Sequence, residues 1–206
     1  LAPSASERWG ECTASPGFIK QFNLVQKSST YANQGSAAHA LAEDCVAFGS
    51  DAALFIGTKY TIEGETFVVD QEMAEAVQVY VNFVNAVAPV KQREKDVLLW
   101  TEQRLDIGRG IKGTSDCIAY YRDRRTVVTA DYKHGSGVVV EPEENSQLML
   151  YTFGAIRKLE LMGEKIEDVR IVVVQPRAPH PSGKKVRDWW TTRGKLYTWW
   201  NRKILP

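Results

Sequence analysis

Asp131 and Lys133 stand two residues apart at the end of a run of strand formers, Thr126-Val127-Val128-Thr129, with Tyr132 between them. Strand side chains alternate faces, so the acid and the base share one face and Tyr132 points to the other. A carboxylate is a hard oxygen ligand for a divalent cation. A lysine beside it can hold a water or a phosphate oxygen by charge and hydrogen bond. A surface ion pair has the same composition, and the tripeptide alone does not separate the two. Asp116 adds a second carboxylate. It follows Gly113-Thr114-Ser115, leads the apolar segment "CIAYY" and faces the strand that carries Asp131. It could cap the turn at its strand's start, but a charge inside such a strand usually has a partner or a task. Two carboxylates and a lysine on neighbouring strands are what metal-assisted phosphodiester cleavage requires. The carboxylates hold the cation, the cation activates water, and the lysine stabilises developing charge.

Two further pairs lie at helical spacing. His39 and Glu43 occur in "GSAAHALAE", four apart and hence on one helical face. Small residues around them allow this helix to approach a sheet closely. A lone helical histidine is more often structural than a ligand, and histidine suits Mn²⁺ better than Mg²⁺. Gln147 and Tyr151 are also four apart, in "QLMLY", while Leu148, Leu150 and Phe153 can face a core. Taken alone, they read as the polar edge of an amphipathic helix.

The elements that must position these residues follow from periodicity. The first thirty residues, broken by Pro3, Pro16 and Gly17, read as loop with one short helix near Ser6–Cys12. Helices are expected from about Gly35 to Phe48 and from about Gln71 to Val87, the second N-capped by Asp70 and stopped by Pro89. Lys59–Val69 reads as loop or a short hairpin. Val97–Ile107, Ile111–Tyr121 and Thr126–Lys133 are expected strands of an antiparallel meander, turning at Gly108-Arg109-Gly110 and Arg122–Arg125. A helix from about Asn145 to Met162 follows, then a strand at Val169–Val174, "VRIVVV", apolar enough to be buried on both faces. A last helix is expected from about Val186 to Lys203. This order specifies an α/β fold, a mixed β-sheet flanked by α-helices.

Composition bounds the function. The chain has 206 residues, 44% apolar and 25% charged, which suits one globular domain with a real core. Neither a bilayer-spanning apolar run nor a secretory signal stands out, so no membrane partner is expected; opening on Leu1, the chain is expected to be trimmed or processed. Cys12, Cys45 and Cys117 form no C-x-x-C pair, which argues against a zinc ribbon and for buried free thiols in a reducing cytoplasm. The net charge of +1 excludes a polybasic binder as a whole. The segment from about 177 to 206, however, is basic and aromatic, with Lys184, Lys185, Arg187 and Arg193 as candidate nucleic-acid contacts and Trp189, Trp190, Tyr197, Trp199 and Trp200 among them. Docking of some aromatics on the core would account for part of this pattern, but adjacent tryptophans cannot all face inward.

The order G-x-x-x-H-x-x-x-E, an acid in "WTEQRLD", G-x-x-D, D-x-K and Q-x-x-x-Y resembles the PD-(D/E)XK nuclease superfamily. It is most similar to the RecB-type branch, and there to a phage and prophage family in which "SASERWGEC", "GSAAHALAE" and "VVVQPR" have look-alikes. The resemblance runs from about Ser4 to Arg177. It implies a single restriction-endonuclease-like domain over 1–206. It implies Asp116 and Asp131 as ligands of Mg²⁺ or Mn²⁺, His39 as a third ligand, the Tyr132 carbonyl as a fourth and Lys133 as the catalytic lysine. Gln147 and Tyr151 would orient the site or the DNA, Glu102 would be an acid of more variable role, and Glu43 would hold His39 or a basic neighbour. His134 is expected on the opposite face and outside the site. The implied activity is a deoxyribonuclease, expected to be an exonuclease of phage recombination or DNA processing in the host cytoplasm. DNA is the implied substrate, and a phage single-strand annealing or recombination protein a candidate partner. The alternatives are a nuclease-fold module that grips DNA or a recombination partner without cutting, which would bind without metal, and a phage assembly protein, which would self-associate without nucleic acid.

Overall fold

A computed structural model describes residues 1–24, 28–89 and 96–204. Residues 25–27, within the expected N-terminal loop, and 205–206, at the end of the basic segment, lie outside the described residues. The helices are α1 (Ser6–Glu11), α2 (Ser15–Gln21), α3 (Thr30–Phe48), α4 (Gln71–Val87), α5 (Ser146–Leu161) and α6 (Arg193–Lys203). The strands are β1 (Lys59–Ile62), β2 (Glu65–Val68), β3 (Val97–Gly108), β4 (Ile111–Tyr121), β5 (Thr126–Tyr132), β6 (Asp168–Val174) and β7 (Val186–Thr192). β1 and β2 form a separate hairpin, and the other five make one sheet in the order β3-β4-β5-β6-β7. Only the β5–β6 pair is parallel among these neighbours, and α5 is the crossover that a parallel pair needs. The protein is thus an α/β fold with a mixed sheet flanked by helices.

Local chemistry sets the helix ends. Asp70 Oδ1 accepts from the Met73 amide (2.7 Å) at the start of α4, and Asn145 Oδ1 accepts from the Leu148 amide (3.2 Å) at the start of α5. Ser29 Oγ caps α3 in the same way, through the Ala32 amide (3.2 Å). This cap starts α3 five residues before the expected Gly35, because Thr30–Asn33 already satisfy the helix and only the cap marks its true beginning. α2 occupies Ser15–Gln21, where loop was expected: Pro16 falls within the first two helical positions, where its missing amide costs nothing.

The sheet is packed on both faces. On one, Leu41 of α3 and Val77, Tyr80 and Val84 of α4 meet Cys117, Ala119, Val128 and Ala130. On the other, Leu150, Phe153 and Ile156 of α5 and Leu196 and Trp200 of α6 meet Ile118, Tyr120, Val127 and Ile171. β6 lies between β5 and β7 and contributes to both clusters, as its unbroken apolar run required. Cys45 and Cys117 are buried, but Cys12 is exposed, contrary to the expectation of three buried thiols.

The largest correction concerns the C-terminus. The single helix expected over Val186–Lys203 is a strand, β7, followed by a shorter helix, α6. Val186–Thr192 carries one valine, two tryptophans and two threonines, which suit a pleated surface, and it closes the sheet antiparallel to β6. Thr192 then caps α6, its Oγ1 accepting from the Lys195 amide (3.3 Å).

Candidate metal centre

The acidic residues collect where the central strands separate. The β4–β5 ladder ends at Cys117 opposite Ala130. One step further, the Asp116 side chain takes over the acceptor's place: its Oδ2 accepts the Tyr132 amide at 2.7 Å. The Asp116 carbonyl accepts from Tyr80 Oη of α4 (3.0 Å), so this residue is pinned from both ends. In the neighbouring pair, Thr101 faces Cys117 and Gln103 faces Ser115, which sets Glu102 opposite Asp116. Glu102 has φ +46°, a left-handed conformation inside a strand. For a residue other than glycine that conformation costs about 1–3 kcal/mol and persists only where its surroundings enforce it.

α3 supplies the third group. His39 Nδ1 lies 3.6 Å from Asp116 Oδ2. One ligand atom from each of His39, Glu102 and Asp116 lies within 4.8 Å of the others, so these three residues could hold a metal ion together. The charge balance is consistent with that. Burial, then repulsion from Asp116, Glu43 and Asp131, pushes the Glu102 carboxyl up to about 8. Burial and Asp131 also raise Asp116, although His39 and the Tyr132 amide oppose them. Like charges this close disfavour each other's ionised form, and an opposite charge between them would favour it.

Asp131 stands beside this cluster. Its Oδ2 is buried, and Lys133 Nζ sits 2.9 Å away, close enough for charge pairing but without hydrogen-bond alignment. Burial works against the charge on Lys133, but Asp131 outweighs it and raises the lysine's pKa, so the ammonium form persists. The two side chains do share a face. Gln147 spans them, donating from Nε2 to Asp131 Oδ1 and accepting at Oε1 from Lys133 Nζ, both at 3.4 Å. Lys133 lies just past the end of β5, and its amide donates to Val174 O of β6 (2.9 Å), which fixes its backbone. Tyr151 is buried one helical turn from Gln147, and burial first of all pushes its phenol up to about 12, leaving it a proton donor. Its ring packs against Gly113, where a Cβ would lie 2.8 Å from Tyr151 Cε1 and 2.9 Å from Pro3 Cδ. The glycine of G-x-x-D therefore makes room for the tyrosine of Q-x-x-x-Y.

The sequence-expected residues sort as follows. His39, Glu102 and Asp116 converge on one point; Asp131, Lys133, Gln147 and Tyr151 line its side. Tyr132, expected to offer its carbonyl, meets Asp116 through its amide, and its ring packs against His39 (5.3 Å between centroids) and Tyr80 (5.4 Å). Glu43 is exposed and, among the described residues, makes no hydrogen bond or ion pair to His39; it acts on the group by its charge on Glu102. His134 bonds to Tyr132 Oη through Nδ1 (2.8 Å), away from the acids. Glu102 carries more of the site than the motif suggested. Counting back from the Gly108–Gly110 turn would have missed it by one residue, because a bulge between Asp106 and Gly108 shifts the register that sets Glu102 opposite Asp116. Tyr80 gave no such signal, because its spacing marks it only as core.

One of the expected nucleic-acid contacts is corrected. Arg187 is buried: its Nη2 donates to Gln175 Oε1 and Val140 O, both at 2.8 Å, and its Nη1 to Lys184 O (3.0 Å). Arg193 pairs with Glu160 and lies over the Tyr197 ring, 4.3 Å from its centroid. The Arg187 guanidinium is committed to the fold, whereas the Arg193 side chain stays 42% exposed. Lys184 and Lys185 are exposed in the loop before β7. Beside Lys133 and Gln147 opens a cleft of about 590 Å³ that runs past Glu141, Glu143 and Glu144 to Ser4, Ser6 and Glu7. A larger one, about 950 Å³, lies against β7 and α6 and is also lined by Glu143 and Glu144.

The fold and these residues define an α/β protein with a candidate divalent-metal site at the open end of its central strands. The whole chain, residues 1–206, matches the family described as "Protein of unknown function (DUF2800)", and the chain belongs to that family. Among solved structures it has a likeness to the one titled "Crystal structure of SSO0001", at 14% identity over 64% of this chain and 59% of that one, with a TM-score of 0.26. A likeness that slight fixes neither fold nor activity. Among the described residues no helix is long and apolar enough to cross a membrane.

Proposed function

We propose that this chain is a metal-dependent deoxyribonuclease of the PD-(D/E)XK type, acting as an exonuclease in DNA processing. The observation that supports the reading best is the meeting of His39, Glu102 and Asp116 within 4.8 Å, beside Lys133 and Asp131. The donor set fits a divalent cation. Carboxylate oxygens suit Mg²⁺ and Mn²⁺, and the histidine nitrogen favours Mn²⁺. The buried Asp131 Oδ2, without an aligned donor, offers a further oxygen. A bound cation would supply Lewis acidity toward a phosphate oxygen and lower the pKa of a bound water.

The chain's own residues do the rest. His39, Glu102 and Asp116 hold the ligand geometry, and the strained Glu102 backbone keeps its carboxylate aimed at the other two. Lys133 presents a permanent positive charge toward the cleft, where it stabilises charge developing on a phosphate oxygen. Gln147 fixes the lysine and Asp131 relative to one another, and Tyr151 keeps a proton to donate.

The test is digestion of end-labelled linear DNA and covalently closed circular DNA with Mn²⁺ or Mg²⁺. Loss of linear DNA only, abolished by EDTA, is the expected result. Persistence of both substrates over a range of metal, salt and pH would overturn the reading, and cutting of circles would replace exonuclease with endonuclease.

A further inference from the structure

The clefts around the N-terminal end of α5 connect chemistries that the site alone does not use. The cleft beside Lys133 and the larger one against α6 meet at Glu143 and Glu144, which line both. A third, of about 250 Å³, shares Ser146 with the first and Trp199 and Lys203 with the second. Lys195, Trp199, Arg202 and Lys203 fall at i, i+4, i+7 and i+8 along α6 and so occupy one face, toward these clefts. Lys195, Arg202 and Lys203 are exposed, and among the described residues no acid lies within ion-pair distance of any of them. Trp199 is only partly buried, and Trp189 of β7 borders the same cleft. Cations without counter-ions next to tryptophan faces complement a polymer that carries phosphates and stackable bases. Glu143 and Glu144 repel phosphates at the junction, which keeps the backbone on the α6 wall as the strand passes toward Lys133.

We infer that this groove binds single-stranded DNA, with Lys195, Arg202 and Lys203 on the phosphates and Trp199 stacked on a base. The inference rests on the reading of the neighbouring site as one that acts on DNA. A duplex buries its base faces and gives a tryptophan nothing to stack on, so single strands are the preferred form.

The experiment is equilibrium anisotropy of a fluorescein-labelled oligothymidylate with the full chain in EDTA, across a series of KCl concentrations. Removing three phosphate contacts from a single strand lowers the slope of log K against log[KCl] by about 2, at roughly 0.7 per contact. The triple variant Lys195→Ala, Arg202→Ala, Lys203→Ala is expected to show that drop; an unchanged slope overturns the proposal. Trp199→Ala is expected to weaken binding roughly fivefold or more without changing the slope. Trp190→Ala, on the other face of β7, is expected to bind as the parent does, and an equal loss there overturns the stacking assignment. Thermal melts accompany each variant; should Trp199→Ala melt early, the exposed triple variant decides the question. Equal or tighter binding of duplex DNA, or displacement of the oligonucleotide by polyglutamate at matched charge, also overturns the inference. Because no metal is present, failure to cut DNA leaves this result standing, and an unchanged slope leaves the cleavage reading standing.

Discussion

At the scale of single residues, the site is an arrangement of mismatched charge. Glu102 is held near pKa 8 by burial and by Asp116, Glu43 and Asp131, far above an ordinary glutamate. A carboxyl whose folded pKa is raised favours the fold while protonated. Its contribution is complete below the unfolded value and is lost as pH climbs through the folded one. For Glu102 that window runs from the ordinary value of 4.5 to about 8, and Asp116 shifts in the same direction. Metal-free protein should therefore melt at lower temperature at pH 8.5 than at pH 6, and Glu102→Gln should flatten that slope in scanning fluorimetry. Added Mn²⁺ should raise the melting temperature more at pH 8.5 than at pH 6, because the ligands must be deprotonated to bind it. A parent and variant with the same pH slope would remove the electrostatic account. For cleavage, Lys133→Ala should cost at least about a hundredfold in rate, the usual scale for losing one charge-stabilising donor, while the melting temperature stays within a few degrees. D-x-K and G-x-x-D were legible because alternation and register are fixed by the backbone. The partnership of Glu102 and Asp116 was not, since it depends on a left-handed strand residue that no side-chain pattern announces.

At the scale of elements, close approach decides what the strands and helices can carry. Gly113 leaves space for Tyr151 and Pro3, and Gly154 brings α5 against Ile107 and Leu105 of β3, where a Cβ would sit 2.8 Å from Ile107 Cγ1. Gly113→Ala forces the Tyr151 ring or the N-terminal segment to move and should destabilise the protein by about 1–3 kcal/mol, measured by urea denaturation. It should lower cleavage further than stability alone predicts, because Tyr151 belongs to the site wall. α4 was legible end to end: its apolar spacing and Asp70 cap are local signals. The β7–α6 boundary was not, because Val186–Lys203 carries aromatics that serve either a helix stripe or an edge strand. Pairing with β6, a long-range event, decided between them.

At the scale of the whole molecule, a buried polar clamp ties the far strands to the loop that borders the site. Gln175 Nε2 donates to Gly135 O and Val138 O, while Gln175 Oε1 accepts from the Val140 amide and from Arg187. Arg187→Leu removes the donor to Val140 O and leaves Gln175 Oε1 with the Val140 amide alone. It should cost about 2–3 kcal/mol, the scale for charged hydrogen bonds lost in a buried network. The loop over 135–140 should then become the first region to gain amide exchange. Arginine in a terminal basic run looks like a surface contact in the sequence; only the assembled sheet shows it to be internal.

The parallel pairing of β5 with β6 also sets an order in time. The ribosome releases His39, Glu102, Asp116, Lys133 and Gln147 well before Val174, yet the amide of Lys133 is held by the carbonyl of Val174. The candidate metal ligands are thus all in the chain before the lysine's backbone partner, and the lysine settles only when β6 joins the sheet. A nascent or truncated chain ending before β6 would carry the acids without a fixed base.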